Sequence, residues 1–273
     1  MKTILIGACL VGAFFLPANV YSKAQQKKVE PVIKAPAIVR SIVKHERRRF
    51  LHGGTLTLAG APAGSITIES WPNTEVDITA EIELRADSEA DLDRLAMLNT
   101  IVLDDDANHI RVVATGTHDK SFMKQVKKFP KHLMGLPWKI DFRIRVPVTT
   151  DIEINAGRGP IKVTDVEGNL QISAAESETD LRLSGGAVNA MVGIGKVNLS
   201  VPVKSWRRGT VVIRVAAGEV NVELVPGFSA DIDALNFSSH ASSSFHYSLH
   251  SIMHYFKNGI RNIYSLNSFF ILR

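Results

Sequence analysis

The chain has 273 residues, 45% hydrophobic and 22% charged, with a formal net charge of +5; this length admits one or two domains. The charge is unevenly spread: residues 23–49 hold nine Lys or Arg against two acids, whereas residues 50–235 hold nineteen against twenty-five. The basic excess therefore lies outside the main body, which argues against a nucleic-acid-binding face, since that needs cations massed on the folded part.

The N-terminus, "MKTILIGACLVGAFFLPANVYSKAQQKK", has the form of an export signal over residues 1–22. A lysine precedes an apolar run from Ile4 to Ala18, and small residues then place cleavage after Ser22 or Ala24. The run is shorter than the ~20 residues that cross a bilayer as a helix, so removal is expected ahead of the alternative, retention as an anchor. The protein is accordingly expected in the periplasm, on the cell surface or outside the cell. Cys9, the single cysteine, lies inside the run. Its "IGAC" loosely matches a lipoprotein box, but too little apolar sequence precedes it and too much follows. Without the signal no cysteine is left, which excludes a disulfide, a thiolate nucleophile and a Cys-ligated zinc.

Residues 23–49, "KAQQKKVEPVIKAPAIVRSIVKHERRR", contain two prolines and many cations without an amphipathic period. They read as an extended basic linker, with "RRR" at 47–49 a solvated charge run; attraction to an anionic envelope surface is the alternative.

From Phe50 the texture is that of strands. "GTLTLAG" and "GSITIES" alternate apolar and polar residues, as does "TEVDITAEIELRA", which puts Val76, Ile78, Ala80, Ile82 and Leu84 on one face. "DSEADLDRLAMLN" predicts one short helix near 88–98, with an Asp or Ser cap, acids in its first turn and leucines at 92, 95 and 98. "TIVLDDDANHIRVVATG" predicts a hairpin turning over Asp104 to His109. Its three aspartates lack the spacing of a calcium loop and read as a solvated turn.

Residues 117–139, "THDKSFMKQVKKFPKHLMGLPWK", interrupt the alternation. Phe122, Val126 and Phe129 share one side of a short helix that Pro130 stops, surrounded by Lys120, Lys124, Lys127, Lys128 and Lys131. The segment reads first as a long loop whose apolar residues pack back on the body. The five lysines are also the candidate contact for an anionic surface.

After "KIDFRIRVPVTTDIEINAG" a short unit recurs: "GPIKV" at 159, "GNLQI" at 168, "TDLRL" at 179, "GAVNA" at 186, "GKVNL" at 195 and "GEVNV" at 218. Its first apolar positions, Ile161, Leu170, Leu181, Val188 and Val197, are 7 to 11 residues apart, so alternate ones recur at 16 to 20. Strands this short bury too few side chains to offset their ordering entropy alone and must stack on neighbours of the same alternation. Glycine at each restart permits the positive φ of a corner. The prediction is an all-β fold, β-solenoid-like, of short stacked strands grouped two to a rung and punctuated by glycine. It occupies residues 50–235, with the repeats mainly at 151–225.

The stretch "FRIRVPVTTDIEINAGRGPIKVTDVEGNLQISAAESETDLRLSGGAVNA" resembles a bacterial family of adhesin-type proteins related to GIN-type head domains, in which G-x-apolar-x-apolar rungs lead out of an "R-V-P" strand. The resemblance runs over about residues 53–234 and implies an exported, β-solenoid-like surface or periplasmic domain. It brings no active-site residues to carry over. Residues 236–273 change character: acids vanish and Ser, His, Asn, Phe and Tyr crowd in, as in a disordered or frame-shifted tail.

His246, His250 and His254, at i, i+4 and i+8, could line a helix and hold a metal, but H-E-x-x-H with its glutamate is absent and no metal is expected. Residues 133–239 contain no His, Cys or Tyr, so a Ser-His or Cys-His pair cannot come from the stacked strands themselves. Asp165, Glu167, Glu176, Glu178 and Asp180 could serve a two-carboxylate glycosidase, although acids at alternate strand positions more often mark a solvated face. The sequence thus predicts a non-catalytic, exported, adhesin-like domain with no cofactor, presenting strand faces to an envelope polymer or surface protein. The alternatives are a carbohydrate-active enzyme using Asp/Glu pairs and a self-associating structural element of the envelope; peripheral membrane contact is compatible with each.

Overall fold

The computed structural model describes residues 38–106, 108–207 and 209–228 with their side chains, and the backbone of strands at 232–238, 241–245, 263–265 and 268–272. The export signal, residues 23–37 of the linker and His246, His250 and His254 lie outside the described residues. Among the described residues sixteen strands form one curled, open sheet.

β1 (Ile38–Arg49) lies in the second half of the expected linker and pairs antiparallel with β4 (Glu75–Ala86) along its whole length. Its inner face explains why no period announced it. Ile38 and Ile42 pack on the core, but the inner positions between and beyond them, 40, 44, 46 and 48, are charged residues with partners. Arg40 pairs with Glu89 and Asp93, Lys44 donates to Thr100 Oγ1, and Arg48 pairs with Glu46 and Asp105. An inner face satisfied by ion pairs leaves no hydrophobic alternation to read. "RRR" is therefore part of a strand, with Arg47 and Arg48 both in ion pairs.

β2 (Thr55–Ala63) turns at Gly64 into β3 (Ile66–Trp71), and β8 (Asp151–Arg158) turns at Gly159 into β9 (Ile161–Thr164). β10 (Asn169–Arg182), β11 (Ala187–Val201) and β12 (Val211–Leu224) each supply both parts within one strand. All of these neighbours run parallel. On the first wing Leu56, Ile152, Leu170, Val188 and Val211 form one buried file. On the second wing Ile66, Ile161, Thr179, Val197 and Val220 form another. One quartet is displaced from its expected frame: Thr179, not Leu181, stands level with Ile161. It is buried, and its hydroxyl is 2.9 Å from that of Ser177, so the two satisfy each other where β10 turns its corner without a glycine.

At the other corners the glycines stack. Gly195 (φ 139°) and Gly218 (φ 145°) are level with each other, and a Cβ on Gly218 would overlap the carbonyl oxygen of Gly195. Both the dihedral and the close approach demand glycine there.

Between the first and second of these rungs the chain makes an excursion. β4 buries Val76, Ile78, Ala80, Ile82 and Leu84 as its alternation predicts. α1 (Glu89–Leu98) follows, buried through Leu92 and Leu95, with Ser88 Oγ accepting the Asp91 N–H at 3.2 Å. Ser88→Ala is expected to cost about 1 kcal/mol, read as a lowered melting midpoint. β5 (Thr100–Asp105) and β6 (His109–Thr115) form the predicted hairpin, in whose turn Asp106 Oδ1 accepts the N–H groups of Asn108 and His109, each at 2.8 Å. A second, four-residue helix, α2 (Lys120–Met123), and β7 (Trp138–Pro147) complete the excursion. β6 runs parallel to β2 and β7 parallel to β3, while β4 and β5 run antiparallel to β7 and β6. The excursion therefore closes one end of the file with antiparallel strands.

At the other end β12 pairs antiparallel with β15 (Ile263–Ser265) and β16 (Ser268–Leu272). β16 pairs with β13 (Ile232–Ser238), which pairs with β14 (Ala241–Phe245). Strands are thus present in the residues read as an atypical tail. Among the described residues no helix is long and apolar enough to cross a membrane.

Candidate functional site

Inner residues of the parallel strands fill the core, so chemistry available to a partner lies on their outer faces. On the first wing the register sets Gln171 beside Asn189 and Asn189 beside Val212; Asn169 stands beside Ala187 one step along. These residues, with Thr210 and Arg214, line a shallow depression of about 280 Å³. Asp151 accepts the Asn169 backbone N–H at 2.7 Å and its amide Nδ2 at 3.2 Å, which fixes that side chain. Arg214 Nη1 donates to Asn189 Oδ1 at 3.2 Å. On the second wing Asn198 Nδ2 donates to Asp180 at 2.6 Å and Asn221 Nδ2 to Asn198 at 2.8 Å. Amides stacked at strand spacing, about 4.8 Å, give each outer face a regular series of donors and acceptors.

The candidate glycosidase acids lie on this outer surface. Glu176 pairs with Arg158 at 3.4 Å, Asp165 with Arg182 at 3.7 Å, and Glu167 accepts from Ser184 at 3.0 Å. Glu178 and Asp180 are exposed. Their partners are neighbouring outer residues, which is the pattern of a solvated face. Among the described residues no group of three or more His, Cys, Asp or Glu could hold a metal.

The lysines of the insert, Lys120, Lys124, Lys127, Lys128 and Lys131, are all exposed. Met123 and Leu133 are buried beside them, while Phe129 and Leu136 pack against the core. The expected helix is only α2, with Asp119 accepting the N–H groups of Ser121 and Phe122, and the segment is chiefly a loop packed back on the body.

One cluster was not legible in the sequence. Asp77 points outward from β4 yet is only 3% exposed, covered by residues of β1 and β7. His45 Nε2 lies 2.7 Å from its Oδ1, while Arg47 and Arg145 donate to Oδ2 at 2.9 and 2.7 Å. The Arg145 guanidinium also stacks 4.5 Å over the Trp71 ring. Burial pushes the Asp77 carboxyl up, but the hydrogen bonds from His45, Arg47 and Arg145 together outweigh it and hold the carboxyl below its ordinary value. With both oxygens engaged, Asp77 is poorly placed to take a proton from a substrate; the cluster fastens β1. A signal was available in principle: cations at 45, 47 and 145 against an acid at an outward strand position.

No protein-family model and no curated protein matches the sequence. Among solved structures, the chain is similar to a Clostridium sporogenes protein provisionally named a cell adhesion protein, with TM-score 0.43 and 11% identity over 67% of this chain and 100% of that one. It is also similar to a Bacteroides fragilis protein provisionally named an adhesin, with TM-score 0.28 and 12% identity over 67% of this chain and 78% of that one. Scores of this size leave function to be argued from the residues themselves.

Proposed function

We propose that the chain is an exported, non-catalytic binding domain of adhesin type, working in the periplasm or at the cell surface. Its rungs stack in the manner of a β-solenoid, and outward polar side chains engage an envelope or extracellular polymer. The observation that carries this reading is the depression on the first wing, where Gln171 and Asn189 stand side by side on strands whose inner faces are locked in the core. Neutral amides in a series match the hydroxyl groups of a polysaccharide, and affinity spreads over several rungs. Four of the five outward acids, Asp165, Glu167, Glu176 and Asp180, are held by a neighbour, which supports binding over turnover. Titrating immobilised polysaccharides against the wild-type chain and against Gln171→Ala/Asn189→Ala is the test, with a loss of about tenfold expected for two good hydrogen bonds. Equal binding by the two would overturn the assignment of the face. Glycan turnover that disappears in Glu176→Gln or Asp180→Asn would replace it with the enzymatic reading.

Self-association is favoured by a separate observation. Among the described residues β1 pairs only with β4, so its other edge is open, and Val39 and Val43 on it are 52% and 62% exposed. An open, partly apolar edge is a template for another strand. Light scattering against concentration tests this, and a strictly monomeric chain would discard it.

A further inference from the structure

We infer that the lysine-bearing loop between β6 and β7 is a docking surface for a membrane rich in anionic phospholipid. The inference goes beyond the amide face. The first observation is the segregation of charge. Residues 117–139 contain six lysines and one aspartate, whereas the remainder of residues 38–235, β1 included, contains eighteen bases against twenty-five acids. A net acidic body carrying a cationic loop has a preferred orientation before an anionic surface, with the loop toward it and the body away.

The second observation is that these cations are uncommitted. On β1 the cations Arg40, Arg47 and Arg48 are in ion pairs. In contrast, Lys120, Lys124, Lys127, Lys128 and Lys131 are exposed and in no ion pair among the described residues.

Third, the loop is anchored. Thr117 donates its backbone N–H to Asn99 Oδ1 at 2.8 Å, His132 reaches Asp91 of α1 at 3.6 Å, and Met123 and Leu133 are buried. Lys128 is held in the left-handed region with φ 60°, a conformation non-glycine residues keep only where surroundings impose it. An anchored loop presents its charges without first having to order them.

Lipid is favoured over a soluble polyanion by Met134, three residues beyond Lys131 and 45% exposed. A flexible apolar side chain beside a lysine cluster suits the boundary between headgroups and acyl chains. Each lysine near such a surface contributes about a fivefold gain in partitioning.

The test is co-sedimentation of the full chain with phosphatidylcholine vesicles, with and without phosphatidylglycerol. The readout is the gain that the anionic lipid brings, since apolar N-terminal residues contribute to both. Wild type is expected to bind the anionic vesicles more strongly and to lose that gain in high salt. Lys124→Ala/Lys127→Ala/Lys131→Ala should cut the gain on the order of a hundredfold. Arg143→Ala/Lys162→Ala/Lys204→Ala removes the same charge elsewhere and should keep it within about threefold on the same scale. Loss of the gain in both triple variants, no preference for anionic vesicles, or capture by dextran sulfate without vesicle binding would each overturn the assignment.

Discussion

Gly218→Ala is expected to lower stability by about 3 kcal/mol or more, an estimate that adds a steric clash to the cost of a glycine-only dihedral. Two effects act together. The φ of 145° belongs to a region that a side chain rarely enters, and the added Cβ would overlap the carbonyl oxygen of Gly195 on the adjoining strand. Relief by moving the backbone would pull apart the parallel pairing of β11 and β12, which continues on both sides of the corner from Val188–Val211 to Val201–Leu224. The neighbour is itself a glycine with φ 139°, so it cannot yield by a change of rotamer. Gly135→Ala is the matched control. Nothing lies within 4 Å of a Cβ there, so its effect should stay within about 0.5 kcal/mol. Denaturant melts of the two variants decide the matter, and equal midpoints would refute the corner argument.

The same column shows what a sequence can and cannot disclose. Glycine-led quartets predict corners correctly at Gly159, Gly195 and Gly218, because those glycines answer to a local dihedral and a local contact. The corner of β10 escaped, because Ser177 and Thr179 satisfy each other in the core and a buried hydroxyl pair is invisible to an apolar count. β1 escaped for a related reason, since its inner cations owe their burial to acids on α1 and β5 that are remote in sequence. The spatial order of the strands was also hidden. β2 lies between β6 and β8, and nothing local tells a strand which later segment will pair with it. Of the candidate sites, the five lysines are legible in the sequence, because a short polar segment stopped by Pro130 stays exposed. The amide row needed the register itself, because Gln171 and Asn189 become neighbours only once β10 and β11 are aligned eighteen residues apart.

Asp77→Ala is expected to loosen β1 more than any other single change outside the core. Removing one member of a buried ion pair typically costs 3–5 kcal/mol, but His45, Arg47 and Arg145 are about half exposed and water can take over much of their solvation. The cost should therefore be about 1–3 kcal/mol. Hydrogen exchange should report it locally, as faster exchange along Ile38–Arg49 with little change in β10 to β12, whose pairing does not involve Asp77. Acid gives an independent check. The Asp77 carboxyl is held below its ordinary value, so the stability it brings is fully present above about pH 4, near the value in the unfolded chain, and is lost as pH falls through the lower folded value. The gap between wild type and variant should accordingly be widest near neutrality and narrow in strong acid. A gap unchanged at about pH 2, well below an ordinary carboxyl, would mean that the side chain matters for its packing rather than its charge, and β1 would have to be held by Ile38, Ile42, the pairing with β4 and the contacts of Arg40, Lys44 and Arg48 with α1 and β5.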